Sequence, residues 1–303
     1  MQEFANPPSL RNGIFDLLSS VELATDVNVK LLDYTIQLFK DNGLFSDYYG
    51  YHNIDHELEV TYITLLSGIH SLQDEFLTLD DLNYLYASAL LHDFDPGKAI
   101  DKPHEKNVIQ FISKNKTIQK LLAEANLDPN LICALISRTV YPWKGDIITT
   151  TDKLIQNYFS KSKIKKNKKQ QEHFRDLGHF LSVSDRIGGY SLGDFTKAMN
   201  MAKMNAHSSS WHPAFIVTRS VSFFEDMLNN EPGMCHRVLF GLPKHMRKNL
   251  LDNITEFMKL RQEEIKIYNK FVYDGLPLVP CIEKNSISED VADILLSIYR
   301  ELP

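Results

Sequence analysis

Helical periodicity runs along almost the whole of this 303-residue chain, and it constrains the fold more than any other feature. Leu23, Val27 and Leu31, for example, follow one another at four-residue intervals, which places them on one face of an α-helix. Patterns of this kind predict helices over residues 21–40, 56–69, 80–92, 129–136, 172–185, 194–205, 213–228, 244–271 and 288–300. Strand-like alternation is scarce, and its best example, residues 146–151, is short. The sequence therefore predicts an all-α protein built as a multi-helix bundle.

Capping residues mark three of the predicted helix starts. Asp80 is the predicted N-cap of the helix that leads to His92. Asp128 precedes Pro129, and proline is well suited to the first position of a helix. Residues 286–289 carry a capping-box pattern before the last helix, after an irregular connection over residues 275–287. We predict one helical domain over residues 1–303, with a core at about 45–275 and helical extensions at both ends.

Composition and charge narrow the class of protein. The net charge of −6 and the pI of about 6.0 argue against general nucleic-acid binding, which usually requires a basic surface. The three cysteines are far apart, so we expect a reducing compartment and no disulfide framework. The start of the chain does not resemble a signal peptide, and no apolar run approaches the roughly 18 residues of a membrane span. We expect a soluble, cytoplasmic protein, and a homodimer is compatible with the sequence.

One segment departs from this acidic composition. Residues 161–169 form a run of lysines between two predicted helices. The run is either a solvated loop or a patch that attracts phosphate or a partner protein, and the sequence does not decide between them.

Four residues with metal-binding side chains lie in three separate helical segments: His56, the adjacent pair His92 and Asp93, and Asp185. Imidazole nitrogens and carboxylate oxygens together suit a borderline-to-hard divalent ion such as Zn, Mn, Fe or Mg. An adjacent His and Asp at the end of an apolar helix are costly to bury unless something pairs with them. A metal ion is the partner that the sequence suggests.

The neighbours of these residues fit a hydrolytic site. Pro96 and Gly97 break the helix soon after His92 and Asp93, so the pair is expected at a helix end that opens on a cleft. A short carboxylate such as Asp93 can bridge two metal ions, as in sites that clamp an in-line phosphoryl displacement. His52 precedes His56 by four positions and, in a helical turn, would share its face.

Two of these segments resemble a known enzyme family. Residues 51–60 resemble the YHNxxHAxDV signature of the cyclic-nucleotide phosphodiesterases, within the HD superfamily of metal-dependent phosphohydrolases, with Glu57 in place of Ala and Glu59 in place of Asp. Residues 92–97 resemble the HDxDHPG segment without its second histidine. Residues 183–186 and 135–139 resemble the segments that supply the last metal ligand and a pocket threonine, here Asp185 and Thr139. The similarity in spacing covers roughly residues 45 to 275.

The resemblance implies a fold and a set of roles. The fold would be the HD-type, phosphodiesterase-like helical bundle, with two divalent ions as cofactors. The first ion would be held by His56, His92, Asp93 and Asp185, and Asp93 would bridge to a second ion held mainly by water. His52 would protonate the leaving oxygen. Asn53 and Asp95 would not bind the ions themselves but would hold the ligand residues in place.

The resemblance also implies roles for residues whose surrounding segments match the family less completely. His104 resembles the histidine that opens the next helix in other HD-type phosphohydrolases and would be a ligand of the second ion or a phosphate contact. Lys98 could touch phosphate, and Thr139 would line the pocket. Ser220 stands where the family has a purine-reading glutamine, and Phe223 stands where it has a stacking aromatic residue. A serine is too short for the two-pronged amide contact with a base, whereas Phe223 could still stack.

The sequence therefore supports three hypotheses. The first is a phosphohydrolase in which a metal-activated hydroxide cleaves a phosphodiester of a nucleotide-like substrate, a cyclic nucleotide being the first candidate. The second is a phosphomonoesterase or nucleotidase that acts on a small phosphate through the same metals. The third is a non-catalytic sensor that binds a nucleotide or a metal without turnover.

Overall fold

The computed structural model describes residues 7–44, 51–97, 104–208, 215–230 and 232–273, and the regular elements found among these residues are all α-helices. The all-α prediction is confirmed. In chain order the helices are α1 (Pro7–Ser20), α2 (Asp26–Asp41), α3 (Ile54–Gln73), α4 (Leu79–Ala89), α5 (Glu105–Lys114), α6 (Lys116–Glu124), α7 (Pro129–Ser137), α8 (Asp146–Lys161), α9 (Lys168–Ser191), α10 (Phe195–Ser208), α11 (Ile216–Asn230), α12 (Pro232–Phe240) and α13 (Lys244–Tyr273).

Side-chain caps fix several of the helix starts. Asp128 caps α7 as predicted, because its side chain accepts a hydrogen bond from the backbone N–H of Asn130 at 2.9 Å. The predicted cap of α4 is wrong, since the N-cap is Thr78 and not Asp80. Thr78 Oγ1 accepts from the backbone of Asp81 at 3.2 Å, and Asp81 Oδ2 accepts from the backbone of Thr78 at 2.9 Å. This reciprocal capping box satisfies two backbone donors at once, which a cap at Asp80 would not do.

Residues 146–151, the best strand-like pattern in the sequence, form the first turns of α8. The alternation that suggested a strand covers too few residues to compete with the longer pattern that follows. Thr151, Ile155 and Phe159 are buried at four-residue intervals, which is the spacing of one helical face.

Helix α3 lies at the centre of the molecule and packs against α1, α4 and α9. It is buried on nearly all sides, and two of its buried hydroxyl groups donate hydrogen bonds to backbone carbonyls. Thr61 donates to the carbonyl of Glu57, and Ser67 donates to the carbonyl of Val238, both at 2.8 Å. Because α3 and α9 are in direct contact and α4 packs against both, the start of α3 and the segment after α4 lie beside the C-terminal half of α9.

The remaining predictions about organisation have mixed outcomes. The last predicted helix, residues 288–300, lies outside the described residues. The basic run is shared between the end of α8, a short turn and the start of α9. The turn is anchored, because the backbone of Lys163 donates to Asp128 Oδ2 at 2.8 Å and Ile164 is buried. Within the described part of the chain, no helix has both the length and the hydropathy required to cross a membrane.

Candidate metal centre

The N-terminus of α3 positions the first pair of histidines. Asn53 is the N-cap, and its Oδ1 accepts hydrogen bonds from the backbone N–H groups of Asp55 at 3.0 Å and His56 at 3.2 Å. His56 therefore lies in the first turn, whereas His52 precedes the helix. The centroids of the two rings are 5.7 Å apart. The rings are close because the capped turn folds His52 back towards His56, and not because the two residues share a helical face.

The second pair follows α4 directly. His92 Nδ1 lies 2.8 Å from the carbonyl oxygen of Ala89. Because a carbonyl oxygen can only accept, Nδ1 is the ring nitrogen that carries the proton. The other nitrogen, Nε2, is then the atom with a lone pair for a metal ion.

His56, His92, Asp93 and Asp185 converge on one point. One ligand atom from each of the four lies within 4.8 Å of the other three. Nε2 of His56 is 3.2 Å from Asp93 Oδ2 and 3.1 Å from Asp185 Oδ1. Nε2 of His92 is 3.4 Å and 3.6 Å from the same two oxygens. The structure thus brings together four residues that stand in three distant parts of the sequence.

The donor set fits a divalent ion. Nε2 of His56 and Nε2 of His92 are buried, and neither makes a hydrogen bond of normal geometry. Such orphaned buried nitrogens are rare unless something else satisfies them. Ligand atoms about 2.1 Å from one ion stand about 3.0 Å apart in an octahedral arrangement and about 3.4 Å apart in a tetrahedral one. Three of the four nitrogen-to-oxygen distances, 3.1, 3.2 and 3.4 Å, fall within this range, and the fourth is 3.6 Å.

The site attracts positive charge. Burial disfavours the charged form of His56, but the carboxylates of Asp185 and Asp93, 3.1 and 3.2 Å from its Nε2, outweigh burial and raise its pKa to about 9. The pKa of His92 is also raised against the effect of burial, chiefly by the charges of Asp93 and Glu57. Burial opposes ionisation of Asp93, but His92 and His52 lower its pKa to about 2. Protons on the imidazoles thus occupy the place that a cation would take.

Metal binding should therefore release protons and depend on pH. Because His56 must lose its proton to become a ligand, and its pKa is about 9, we expect the apparent affinity for Zn²⁺ or Mn²⁺ to rise with pH below that value. The expected rise is about tenfold per pH unit for one displaced proton, and steeper if His92 also releases one. Competition with a chromophoric chelator between about pH 6 and pH 8 measures it. An affinity that does not change over this range would contradict the assignment.

His52 lies at the rim of the cluster. Its Nε2 is 4.0 Å from Asp93 Oδ2, and its side chain retains some exposure to solvent. It is not one of the four converging residues. The ring packs edge-on against Tyr51, whose ring also contacts His56. His52 is therefore close enough to share a substrate with the ion site while remaining able to exchange protons with solvent.

The loop after Asp93 is organised by Asp95. This buried carboxylate accepts hydrogen bonds from the backbone of Gly97 at 2.9 Å, the backbone of His104 at 3.2 Å and the side chain of Asn107 at 3.1 Å. His104 occupies the N-cap position of α5 without a side-chain cap, and its imidazole is exposed and does not join the cluster. The structure therefore does not bring His104 to the four ligands. Lys98 lies outside the described residues.

The residues expected to bind substrate are mostly engaged with the protein itself. Thr139 Oγ1 donates to the carbonyl of Ile136 at 2.9 Å, and Ser220 Oγ donates to the carbonyl of Ile216 at 2.8 Å. Both side chains are buried. Phe223 is also buried and packs edge-on against Tyr141, with ring centroids 5.1 Å apart. The hydroxyl of Ser220 is thus bound to its own helix.

Sequence reasoning missed two features of the site. The first is Glu57, which is wholly buried beside His92 and which the sequence marked only as a departure from a signature. The second is a cavity of about 990 Å³ whose wall includes Tyr51, Asn53 and His56. Residues of α1, α9, α10 and α13 complete this wall, which includes neither Asp93 nor Asp185. No local sequence signal could have revealed a cavity formed by four separate stretches of the chain.

No protein-family model, curated protein or solved structure matches this chain.

Proposed function

We propose that this protein is a metal-dependent phosphohydrolase of the HD type that hydrolyses a phosphodiester of a nucleotide-like substrate. The convergence of two imidazoles and two carboxylates, with both Nε2 atoms buried and lacking hydrogen bonds, is the observation that supports the proposal most strongly. A bound divalent ion would make a water molecule acidic enough to attack phosphorus and would offset the charge of the phosphoryl group.

The residues around the ion have separate tasks in this proposal. His56, His92, Asp93 and Asp185 would hold the first divalent ion, and Asp93 would also contribute to binding a second one. His52, at the rim, donates a proton to the leaving oxygen. Asn53 holds the first turn of α3, which carries His56, and Asp95 holds the loop that follows Asp93.

A second candidate is hydrolysis of a phosphomonoester by the same centre. The placement of Ser220 supports this second candidate, because the side chain is buried and its hydroxyl donates a hydrogen bond to the carbonyl of Ile216. The position at which the resembled family reads a purine therefore offers no exposed hydrogen-bonding group here. A nucleobase would need another point of recognition, whereas a small phosphate would need none.

Paired substrates separate the two activities. We expect release of p-nitrophenolate from bis-p-nitrophenyl phosphate in the presence of Mn²⁺, Mg²⁺, Zn²⁺ or Fe²⁺, and a loss of that activity on chelation. Faster turnover of p-nitrophenyl phosphate would favour the monoesterase. Binding of metal and nucleotide without any product would instead favour a non-catalytic sensor.

A further inference from the structure

Glu57 is a fully buried carboxylate directly behind one of the metal-binding histidines. Its Oε2 lies 3.2 Å from His92 Nδ1, and its Oε1 accepts a hydrogen bond from the backbone N–H of Asp93 at 3.4 Å. None of its surface is exposed. A carboxylate that is removed from solvent is costly unless neighbouring groups compensate for the lost hydration, so the groups around Glu57 indicate its role.

One oxygen of Glu57 lacks a conventional partner. Oε2 is buried and makes no hydrogen bond of normal geometry, although it faces the His92 ring. The proton on His92 Nδ1 points towards the carbonyl oxygen of Ala89 at 2.8 Å, with Oε2 as a second acceptor close by. The imidazole thus stands between the four-residue cluster on its Nε2 side and a buried carboxylate on its Nδ1 side.

We propose that Glu57 is a positioning residue that strengthens metal binding by His92. The proposal rests on the metal-dependent function proposed above. An ion on Nε2 withdraws electron density from the ring and makes the Nδ1 proton a stronger donor towards Oε2. In return, the carboxylate fixes the ring orientation and the tautomer and makes Nε2 a more basic ligand.

Electrostatics acts in the same direction. Glu57 places a third carboxyl group close to Asp93 and Asp185, and a positive ion nearby favours the ionised form of such a group. A cation at the centre is attracted by all three groups, and burial keeps this attraction from being screened by water. The sequence places Glu57 where the signature that residues 51–60 resemble has alanine, so this contact is a feature of this chain.

Metal affinity tests the proposal without relying on catalysis. We expect Glu57→Gln, which keeps the size of the side chain and removes its charge, to weaken Mn²⁺ or Zn²⁺ binding by about 10- to 100-fold in chelator competition. Glu57→Asp keeps the carboxylate but moves it away from the His92 ring, so its metal affinity should lie between those of Glu57→Gln and the native protein. The matched control is Glu59→Gln on the same helix, whose carboxylate pairs with Lys197, and its metal affinity should stay within about twofold of the native value.

A second readout distinguishes positioning from general damage. In metal-loaded protein labelled with ¹⁵N-histidine, the Nδ1 proton of His92 should resonate downfield and move upfield in Glu57→Gln, while the ring of His70 does not change. Native affinity in Glu57→Gln would overturn the proposal and leave the proposed function intact. If the native protein binds neither ion, the proposed function itself fails. If Glu57→Gln does not fold, Glu57→Asp decides, and an affinity within about twofold of native overturns the proposal.

Discussion

Replacing Asp93 by alanine is expected to reduce turnover of every substrate by at least about a thousandfold. Asp93 Oδ2 lies 3.2 Å from Nε2 of His56 and 3.4 Å from Nε2 of His92, so this oxygen faces both imidazoles, as Asp185 Oδ1 also does. In the proposed mechanism Asp93 would serve both ions, so its loss would remove a ligand from each. Steady-state assays with mono- and diester substrates at saturating metal measure the effect.

The fold should survive this substitution. Asp93 lies after the end of α4, and its side chain caps no helix. Circular dichroism and thermal unfolding should therefore report a folded, all-helical protein. Asp176→Ala provides a matched control, because Asp176 is exposed on α9, the helix that carries Asp185. This control should retain native activity, and substantial activity in Asp93→Ala would remove the bridging role from the mechanism.

His52→Ala is expected to have an effect that depends on the leaving group. A poor leaving group such as an alkoxide needs a proton as the bond to phosphorus breaks, so its rate should fall by about 10² to 10⁴. p-Nitrophenolate leaves without a proton, so its rate should fall by less than about tenfold. Measuring kcat for a series of aryl and alkyl phosphate esters gives the dependence of rate on leaving-group pKa.

The slope of that series decides whether His52 is the acid. The native protein should show a shallow dependence on leaving-group pKa, and His52→Ala should show a steep one. His70→Ala, an exposed histidine near the end of α3, should behave as the native protein does. Equal losses in His52→Ala for good and poor leaving groups would assign the residue to metal or substrate binding instead.

The sequence predicted most of the fold because most helices have long apolar faces. It missed α1, α5, α6, α8 and α12, of which three have only nine or ten residues. It also began the second helix at residue 21, whereas α2 begins at Asp26 behind the cap of Thr25. A helix of nine or ten residues has too few turns for its periodicity to stand out. The start of α2 was misplaced because a cap acts through local hydrogen bonds, which periodicity does not register.

The metal-binding residues could be proposed from residue type, but their convergence could not be derived from spacing. It depends on the contact of α3 with α9 and on the position of α4 beside both. The sequence allowed His52 and His56 to share a helical face, yet Asn53 caps the helix between them. Glu57 could not be recognised as part of the centre, because only tertiary packing shows that its carboxylate is buried against His92.

The most direct test of the whole account is a crystal structure of the protein grown with Mn²⁺, with anomalous scattering used to locate the ion. We predict an anomalous peak about 2.0 to 2.3 Å from Nε2 of His56, Nε2 of His92 and one oxygen each of Asp93 and Asp185. A crystal with saturating Mn²⁺ and no peak among these four side chains would contradict the account.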